Sequence, residues 1–140
     1  MKKREVSEKI RQALLEQPVK LAYLYGSFVT GKKRRGRDVD VAVVLEKKNK
    51  QNEAELGLIL QKALGQNQPE IDLRIIDQDS SPVFLRNILK DGQVLLTEND
   101  KERVEFEVQA MKKYYDSAYL RDFMTKSMYQ SIKENNYGRR

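Results

Sequence analysis

The feature that most constrains the fold is a pair of β-branched and aromatic runs, "VKLAYLY" at 19–25 and "DVDVAVVLE" at 38–46, separated by three glycines. Such runs are typical of strands buried in a sheet, and the glycines indicate turns between them. The second run carries two acids, Asp38 and Asp40, among its valines. Because residues two apart in a strand share a face, we expect these carboxylates to project together. The opposite face is then core, formed by Val39, Val41, Val43 and Leu45.

The remaining sequence predicts helices and strands in alternation. Helices are expected at 5–17, 51–64, 81–92 and from Asn99 onward, and further strands at 70–77 and 93–98. The last dozen residues are polar and are expected to fray. This order predicts one α/β (α+β) domain over 1–140, with a small mixed β-sheet of about four strands flanked by helices.

Composition excludes several kinds of chemistry. The chain has no His and no Cys, which removes Ser-His-Asp and Cys-His nucleophile systems and the usual zinc ligand sets. The balance of 27 Lys and Arg against 21 Asp and Glu, a net charge of +6, favours an anionic partner. No apolar run is long enough for a membrane span and no signal peptide is evident, so we expect a cytoplasmic protein without a membrane partner.

A third acid, Asp72, lies in the predicted strand at 70–77, between Ile71 and Leu73. If this strand neighbours the one at 38–46, three carboxylates converge. Each like-charge pair at about 4 Å then costs roughly 1 to 4 kcal/mol, depending on the local dielectric. A divalent cation removes that cost. An all-oxygen ligand set without imidazole or thiolate selects Mg²⁺, with Mn²⁺ as the other candidate, over zinc.

Gly26 and Ser27 follow the first strand, where a turn into a short helix would offer backbone N–H groups and a hydroxyl to a phosphate. The ten residues 28–37 allow one helical turn and a return loop that brings Asp38 beside this seat, and five of the ten are basic. Each feature has an ordinary alternative. Ser27 also fits a simple helix cap, the basic run a solvated loop or an RNA patch, and an isolated Asp-x-Asp a solvated loop.

Taken together, Gly26-Ser27, ten residues and then Asp38-Val39-Asp40 resemble the GS-x10-DxD signature of the DNA polymerase β nucleotidyltransferase superfamily, with Asp72 in the place of its third carboxylate. In length and layout the chain resembles a minimal nucleotidyltransferase (MNT). Its tail "RVEFEVQAMKKYYD" is similar to the ending of antitoxins from prokaryotic HEPN/MNT toxin–antitoxin pairs. The resemblance implies a polymerase β-like fold with a long C-terminal helix.

The resemblance also implies an activity, the transfer of AMP from ATP to a tyrosine hydroxyl of a partner HEPN ribonuclease, which silences that toxin. Two Mg²⁺ ions would be held by Asp38, Asp40 and Asp72. Nucleotide-binding residues would be Gly26, Ser27, Lys33 and Arg37. Thr30 and Arg37 stand where related sequences commonly have Arg and Ser, so phosphate contacts would shift to Lys32, Lys33 or Arg34.

The C-terminal helix carries more apolar surface than one packing face needs. We expect a stripe of Val104, Val108, Met111 and Tyr115 to pack against the sheet. The apolar residues that follow predict a protein interface within 99–134, namely Tyr119, Phe123, Met124, Met128 and Tyr129. Two alternatives stay open for function: a non-catalytic antitoxin that neutralises its toxin by binding, and an orphan nucleotidyltransferase with another acceptor, such as an antibiotic or RNA.

Overall fold

The computed structural model describes residues 2–31, 38–47 and 50–134. Within these ranges the chain alternates helices and strands in the predicted order. The elements are α1 Lys3–Leu15, β1 Val19–Tyr25, α2 Ser27–Thr30, β2 Val39–Leu45, α3 Glu53–Leu64, β3 Ile71–Ile75, α4 Pro82–Asp91, β4 Gln93–Thr97 and α5 Asp100–Lys133. The predicted fold class, a four-stranded mixed sheet with flanking helices and a long C-terminal helix, is confirmed.

The strands form one sheet in the order β3-β2-β1-β4. β1 is antiparallel to both of its neighbours, whereas β2 and β3 are parallel and are joined by α3, the crossover that parallel pairing requires. The end of β1 therefore meets the starts of β2, β3 and β4 at one end of the sheet. That end carries Gly26 and the two strand aspartates, Asp40 and Asp72.

The two faces of the sheet have separate cores, as the period-2 alternation predicts. One core contains β-strand valines and leucines together with residues of α1 and α3; its β2 members are Val39, Val41 and Val43. The other core lies beneath α4 and α5 and includes Tyr23, Ala42, Phe106 and Ala110. Since Ala42 alternates with Val41 and Val43, Asp40 projects on the α4 and α5 side.

Side chains of α3 hold β3, the edge strand that carries Asp72. The Gln61 side chain accepts from the Ile71 backbone N–H at 2.9 Å and donates to the Pro69 carbonyl at 3.0 Å. Glu53 accepts from the Ile75 N–H at 2.8 Å. These bonds satisfy backbone groups that an edge strand otherwise leaves open to strand addition, and they fix the position of β3 against α3.

The packing face of α5 differs from the prediction. The buried residues of α5 are Phe106 and Ala110, while Val104, Val108 and Tyr115 of the expected stripe are exposed. The face is set by Glu107, which accepts from the Tyr23 hydroxyl at 2.7 Å and pairs with Arg103 at 3.1 Å. The small side chain of Ala110 lets the helix approach the sheet closely. The predicted fraying is also wrong for 129–133, because α5 continues to Lys133.

The route of α5 follows from its polar contacts. It begins after β4, pairs with β1 through Lys20 and Glu102 at 3.8 Å, and reaches the segment after β3, where Lys113 donates to the Gln78 carbonyl at 2.7 Å. The helix thus crosses the sheet from the β4 edge to the β3 edge. We call residues 115–133 the distal segment; none of its described residues is buried. Across the part of the chain that the structure describes, no helix has the length and apolarity to cross a membrane.

Candidate active site

A row of three polar side chains crosses the sheet at the edge where β1 ends. Tyr25 of β1 lies opposite Asp40 of β2, and Asp40 lies beside Asp72 of β3. Neighbouring strands are about 4.8 Å apart, so these three residues occupy adjacent positions. All three project on the α4 side of the sheet, where the Phe84 ring meets the Tyr25 ring edge-on at 6.1 Å. The expectation that the strand carrying Asp72 neighbours the strand carrying Asp40 is confirmed.

The electrostatics of Tyr25 reflect this row. Burial, and then the negative charges of Asp40 and Asp72, raise the pKa of the Tyr25 phenol to about 12, with Arg74 partly opposing them. Both carboxylates therefore act on the same hydroxyl. The raised pKa keeps the Tyr25 phenol uncharged at neutral pH beside the two carboxylates.

Asp72 already has a positive neighbour in the protein itself. Its carboxylate lies 3.4 Å from the Arg74 guanidinium, on the same face of β3, and both side chains are about half exposed. Such a pair is weak because water screens it, and an entering cation can displace it at little cost. Across residues 2–31, 38–47 and 50–134, no three acidic side chains are arranged so that they could hold a metal ion. Of the three carboxylates expected to converge, the described residues bring Asp40 and Asp72 to adjacent positions but do not complete a three-acid cluster with Asp38.

Gly26 has a conformation that the site requires. Its φ of 75° and ψ of −158° lie in a region that is essentially restricted to glycine. A Cβ at this position would collide with the Asp40 carboxylate. The Gly26-Ser27 turn therefore lies directly against Asp40. As predicted, the chain then enters a short helix, α2, which begins at Ser27.

Ser27 and Asp38 line an open groove of about 800 Å³ beside α2, bounded on its far side by Pro69 and Glu70. Asp38 comes immediately before β2, which begins at Val39, and shares this groove with Ser27. Sequence reasoning missed one cation here. Lys3 of α1 lines the same groove, donates to the Val29 carbonyl at 3.2 Å and lies 5.6 Å from the Phe28 ring centre. No local sequence pattern indicates this contact, because it depends on how α1 packs on α2.

The four basic residues proposed to contact phosphates, Lys32, Lys33, Arg34 and Arg37, lie outside the described residues. Their assignment stays a prediction. The described residues match a hard divalent cation in the chemistry of their donors, although they do not form a three-acid cluster: Asp40 and Asp72 occupy adjacent positions, and a glycine makes room for the Asp40 carboxylate. Carboxylate oxygens of this kind, shared with substrate phosphates, are the ligands that Mg²⁺ takes in proteins.

Gly26→Ala is expected to impair both folding and activity. The unfavourable backbone conformation costs on the order of 1–3 kcal/mol, and the new methyl group also displaces the Asp40 carboxylate. We expect a lower thermal midpoint and at least about a tenfold loss of nucleotidyl transfer. Gly57→Ala is the control, since a Cβ there meets nothing within 4 Å and an alanine within α3 stabilises a helix. Equal behaviour of the two variants would contradict the role given to Gly26.

A four-stranded mixed sheet with a Gly-Ser turn into a short helix, and acids at the starts of two adjoining strands, defines a nucleotidyltransferase of the polymerase β type. The family model described as polymerase beta, nucleotidyltransferase matches residues 8–101, two thirds of the chain. The chain belongs to this family, which confirms the predicted enzyme class. The match includes Gly26, Ser27, Asp38, Asp40 and Asp72 and ends at the start of α5.

Solved structures with the same fold include three toxin–antitoxin complexes. A complex with AMP-PNP contains a chain with 24% identity and a TM-score of 0.71, covering 87% of this chain and 97% of that chain. The complex of the tri-AMPylated Shewanella oneidensis HEPN toxin with MNT antitoxin contains a chain with 21% identity and a TM-score of 0.70. The match covers 91% of this chain and 98% of that chain. An MntA–HepT complex contains a chain with 21% identity and a TM-score of 0.68, and the match covers 89% of this chain and 97% of that chain. No curated protein sequence matches significantly.

Proposed function

We propose that this protein is a Mg²⁺-dependent adenylyltransferase that moves AMP from ATP to a tyrosine hydroxyl of a HEPN ribonuclease and thereby acts as its antitoxin in the cytoplasm. The observation that carries the proposal is the pairing of Asp40 with Asp72 beside the Gly26-Ser27 turn. The similar structures support the acceptor and the nucleotide, since one contains AMP-PNP and another an AMPylated HEPN toxin with an MNT antitoxin.

Each residue of the site has a defined task in this reaction. The Ser27 hydroxyl and the first backbone N–H groups of α2 bind the triphosphate. Asp38, Asp40 and Asp72 would hold two Mg²⁺ ions, which when bound neutralise charge on the phosphates and favour ionisation of the incoming hydroxyl. Asp72 also takes the proton of that hydroxyl. The tyrosine oxygen forms a bond to the α-phosphorus as the bond to the bridging oxygen breaks, and pyrophosphate leaves.

The distal segment is the surface that we propose for the partner, within the 99–134 extension. Its large apolar side chains are exposed all around the helix: Tyr115, Tyr119, Leu120, Phe123, Met124, Met128, Tyr129 and Ile132. Charged residues such as Asp122 and Lys126 lie between them, and an exposed apolar surface of this extent is typical of a protein interface. The segment is about 28 Å long and begins just after Lys113, which contacts Gln78 beyond the C-terminal end of β3. A helical protein toxin, without nucleic acid or membrane, fits such a surface.

Transfer of labelled AMP tests the proposal. The protein is incubated with a HEPN ribonuclease as the partner, Mg²⁺ and ATP labelled at the α-phosphate. We expect the label on a tyrosine of the partner, stable after denaturation, absent with EDTA and absent when ATP is labelled at the γ-phosphate. Replacing the acceptor tyrosine with phenylalanine removes the label. If the partner is neutralised while no label reaches it, adenylyl transfer is not how this protein acts.

Three observations favour a second function, neutralisation by binding alone. Asp72 is paired with Arg74, and the described acids do not form a ready metal cluster. Thr30 also departs from the family pattern. A protein of this kind would cover its toxin through the distal segment and would need neither ATP nor Asp38 and Asp40.

A further inference from the structure

Two arginines from different helices face one tyrosine ring where α5 leaves the domain. The Arg86 guanidinium of α4 lies 5.5 Å from the centre of the Tyr114 ring, and that of Arg121 lies 4.9 Å from it. Both distances are within the range of cation–π attraction. Arg121 also donates to the Ser117 hydroxyl at 2.5 Å, and Ser117 donates to the Tyr114 carbonyl at 3.0 Å. We call Arg86 and Arg121 the arginine pair. The Tyr114 ring contacts both guanidinium groups, and the Ser117 hydroxyl also holds Arg121.

The arginine pair lacks a counter-ion within the described part of the chain. The ion pairs formed there include neither Arg86 nor Arg121. The side chains of Arg86, Arg121 and Tyr114 are partly buried, so solvent compensates the two arginine charges less than on an open surface. Two guanidinium groups around one ring also repel each other. An anion that contacts both would remove this repulsion and would accept hydrogen bonds from two planar forks.

The surroundings indicate which anion fits. The next residues along α5 are exposed and apolar, Tyr115, Tyr119 and Leu120, and they begin the distal segment. A nucleic acid would call for a broad basic surface, whereas two arginines beside exposed aromatic side chains are typical of protein interfaces. Arginine and tyrosine are also the residues that most often dominate binding energy in such interfaces.

We propose that the arginine pair binds an acidic side chain, Asp or Glu, of the protein that packs on the distal segment. This inference rests on the partner surface proposed above and specifies its chemistry. The carboxylate would lie between the two guanidinium groups at the base of the segment. It would set the register in which the partner helix meets α5, while the apolar side chains beyond it supply most of the buried area.

Charge removal at the arginine pair tests the inference. In the full-length chain, Arg86→Gln with Arg121→Gln is expected to weaken binding of the partner by about 30-fold at 0.1 M salt, measured by titration calorimetry. The affinity of the wild type should fall between 0.1 and 0.5 M salt, and that of the double variant should change less. AMP transfer at saturating partner should keep its rate, because neither arginine lies in the site at the start of β2 and β3.

Lys90→Gln with Lys112→Gln is the matched control, since it removes the same charge from exposed positions of the same two helices. We expect wild-type affinity for it. Arg86→Lys with Arg121→Lys retains the charge without the planar forks and should lose affinity partially, which serves if the glutamine variant unfolds. Equal affinity of the arginine and lysine-control variants overturns the inference, as does a loss of RNA binding with partner binding intact. Failure of the wild type to bind the partner would instead reject the proposed function.

Discussion

Asp38→Asn combined with Asp40→Asn is expected to abolish AMP transfer, by about 10³-fold or more, while the fold and the binding of the partner persist. The amides retain the shape of the side chains but lose the two negative charges that hold cations and orient the triphosphate. Asp40 lies beside Asp72, so the substitution also reduces like-charge repulsion at this edge of the sheet. We therefore expect no loss of thermal stability.

The chain contains a natural control for this experiment. Asp77 and Asp79 form a second Asp-x-Asp, in the turn after β3 at the opposite end of the sheet, and both are exposed. Asp77→Asn with Asp79→Asn removes the same charge and should leave transfer unchanged. The measurement is incorporation of labelled AMP into the partner, in parallel with neutralisation of the toxin in cells. A double variant at Asp38 and Asp40 that still neutralises the toxin fully, with no AMP on the partner in the wild type, would support the binding-only function.

The strands and the placement of the aspartates could be predicted because they depend on local patterns. Alternation in β2 separates Val39, Val41 and Val43 from Asp40 by itself, and the Gly26-Ser27 turn has its own signature. The pairing of Asp40 with Asp72 is a different matter. It depends on the parallel crossover through α3 and on the bonds that Gln61 and Glu53 make to β3, which no short stretch of sequence specifies.

The face of α5 could not be predicted, because the helix carries two apolar stripes: Val104, Val108, Met111 and Tyr115 on one side, and Phe106, Ala110 and Tyr114 offset from them. Periodicity finds both but does not decide which one meets the sheet. The choice depends on Tyr23, whose hydroxyl bonds to Glu107 across 84 residues of chain, and on the room that Ala110 leaves. The stripe with Val104 and Val108 is consequently exposed and continues into the distal segment. The apolar surface that remains exposed for a partner is therefore larger than the sequence predicted.

Tyr119→Ser, Phe123→Ser and Met128→Ser together are expected to weaken partner binding by about 10²-fold or more in the full-length chain. These side chains are 78%, 59% and 57% exposed, so they contribute little to the stability of the isolated protein and much to an interface that buries them. Titration calorimetry measures the affinity, and thermal unfolding should show an unchanged midpoint. AMP formation from ATP with water as acceptor should remain measurable, because the three substituted residues lie outside the site, which is where β1 ends and β2 and β3 begin.

Shortening the chain after residue 116 extends the same prediction. The buried residues of α5, Phe106 and Ala110, and the Glu107 bond to Tyr23 all precede the cut, so the domain should still fold. Binding should be lost with the segment. The matched control for the triple serine variant replaces three exposed apolar residues elsewhere with serine. They are Leu15, Leu58 and Val83, which are 49%, 62% and 39% exposed on α1, α3 and α4. If the shortened chain binds the partner as tightly as the intact one, the interface lies elsewhere on the domain.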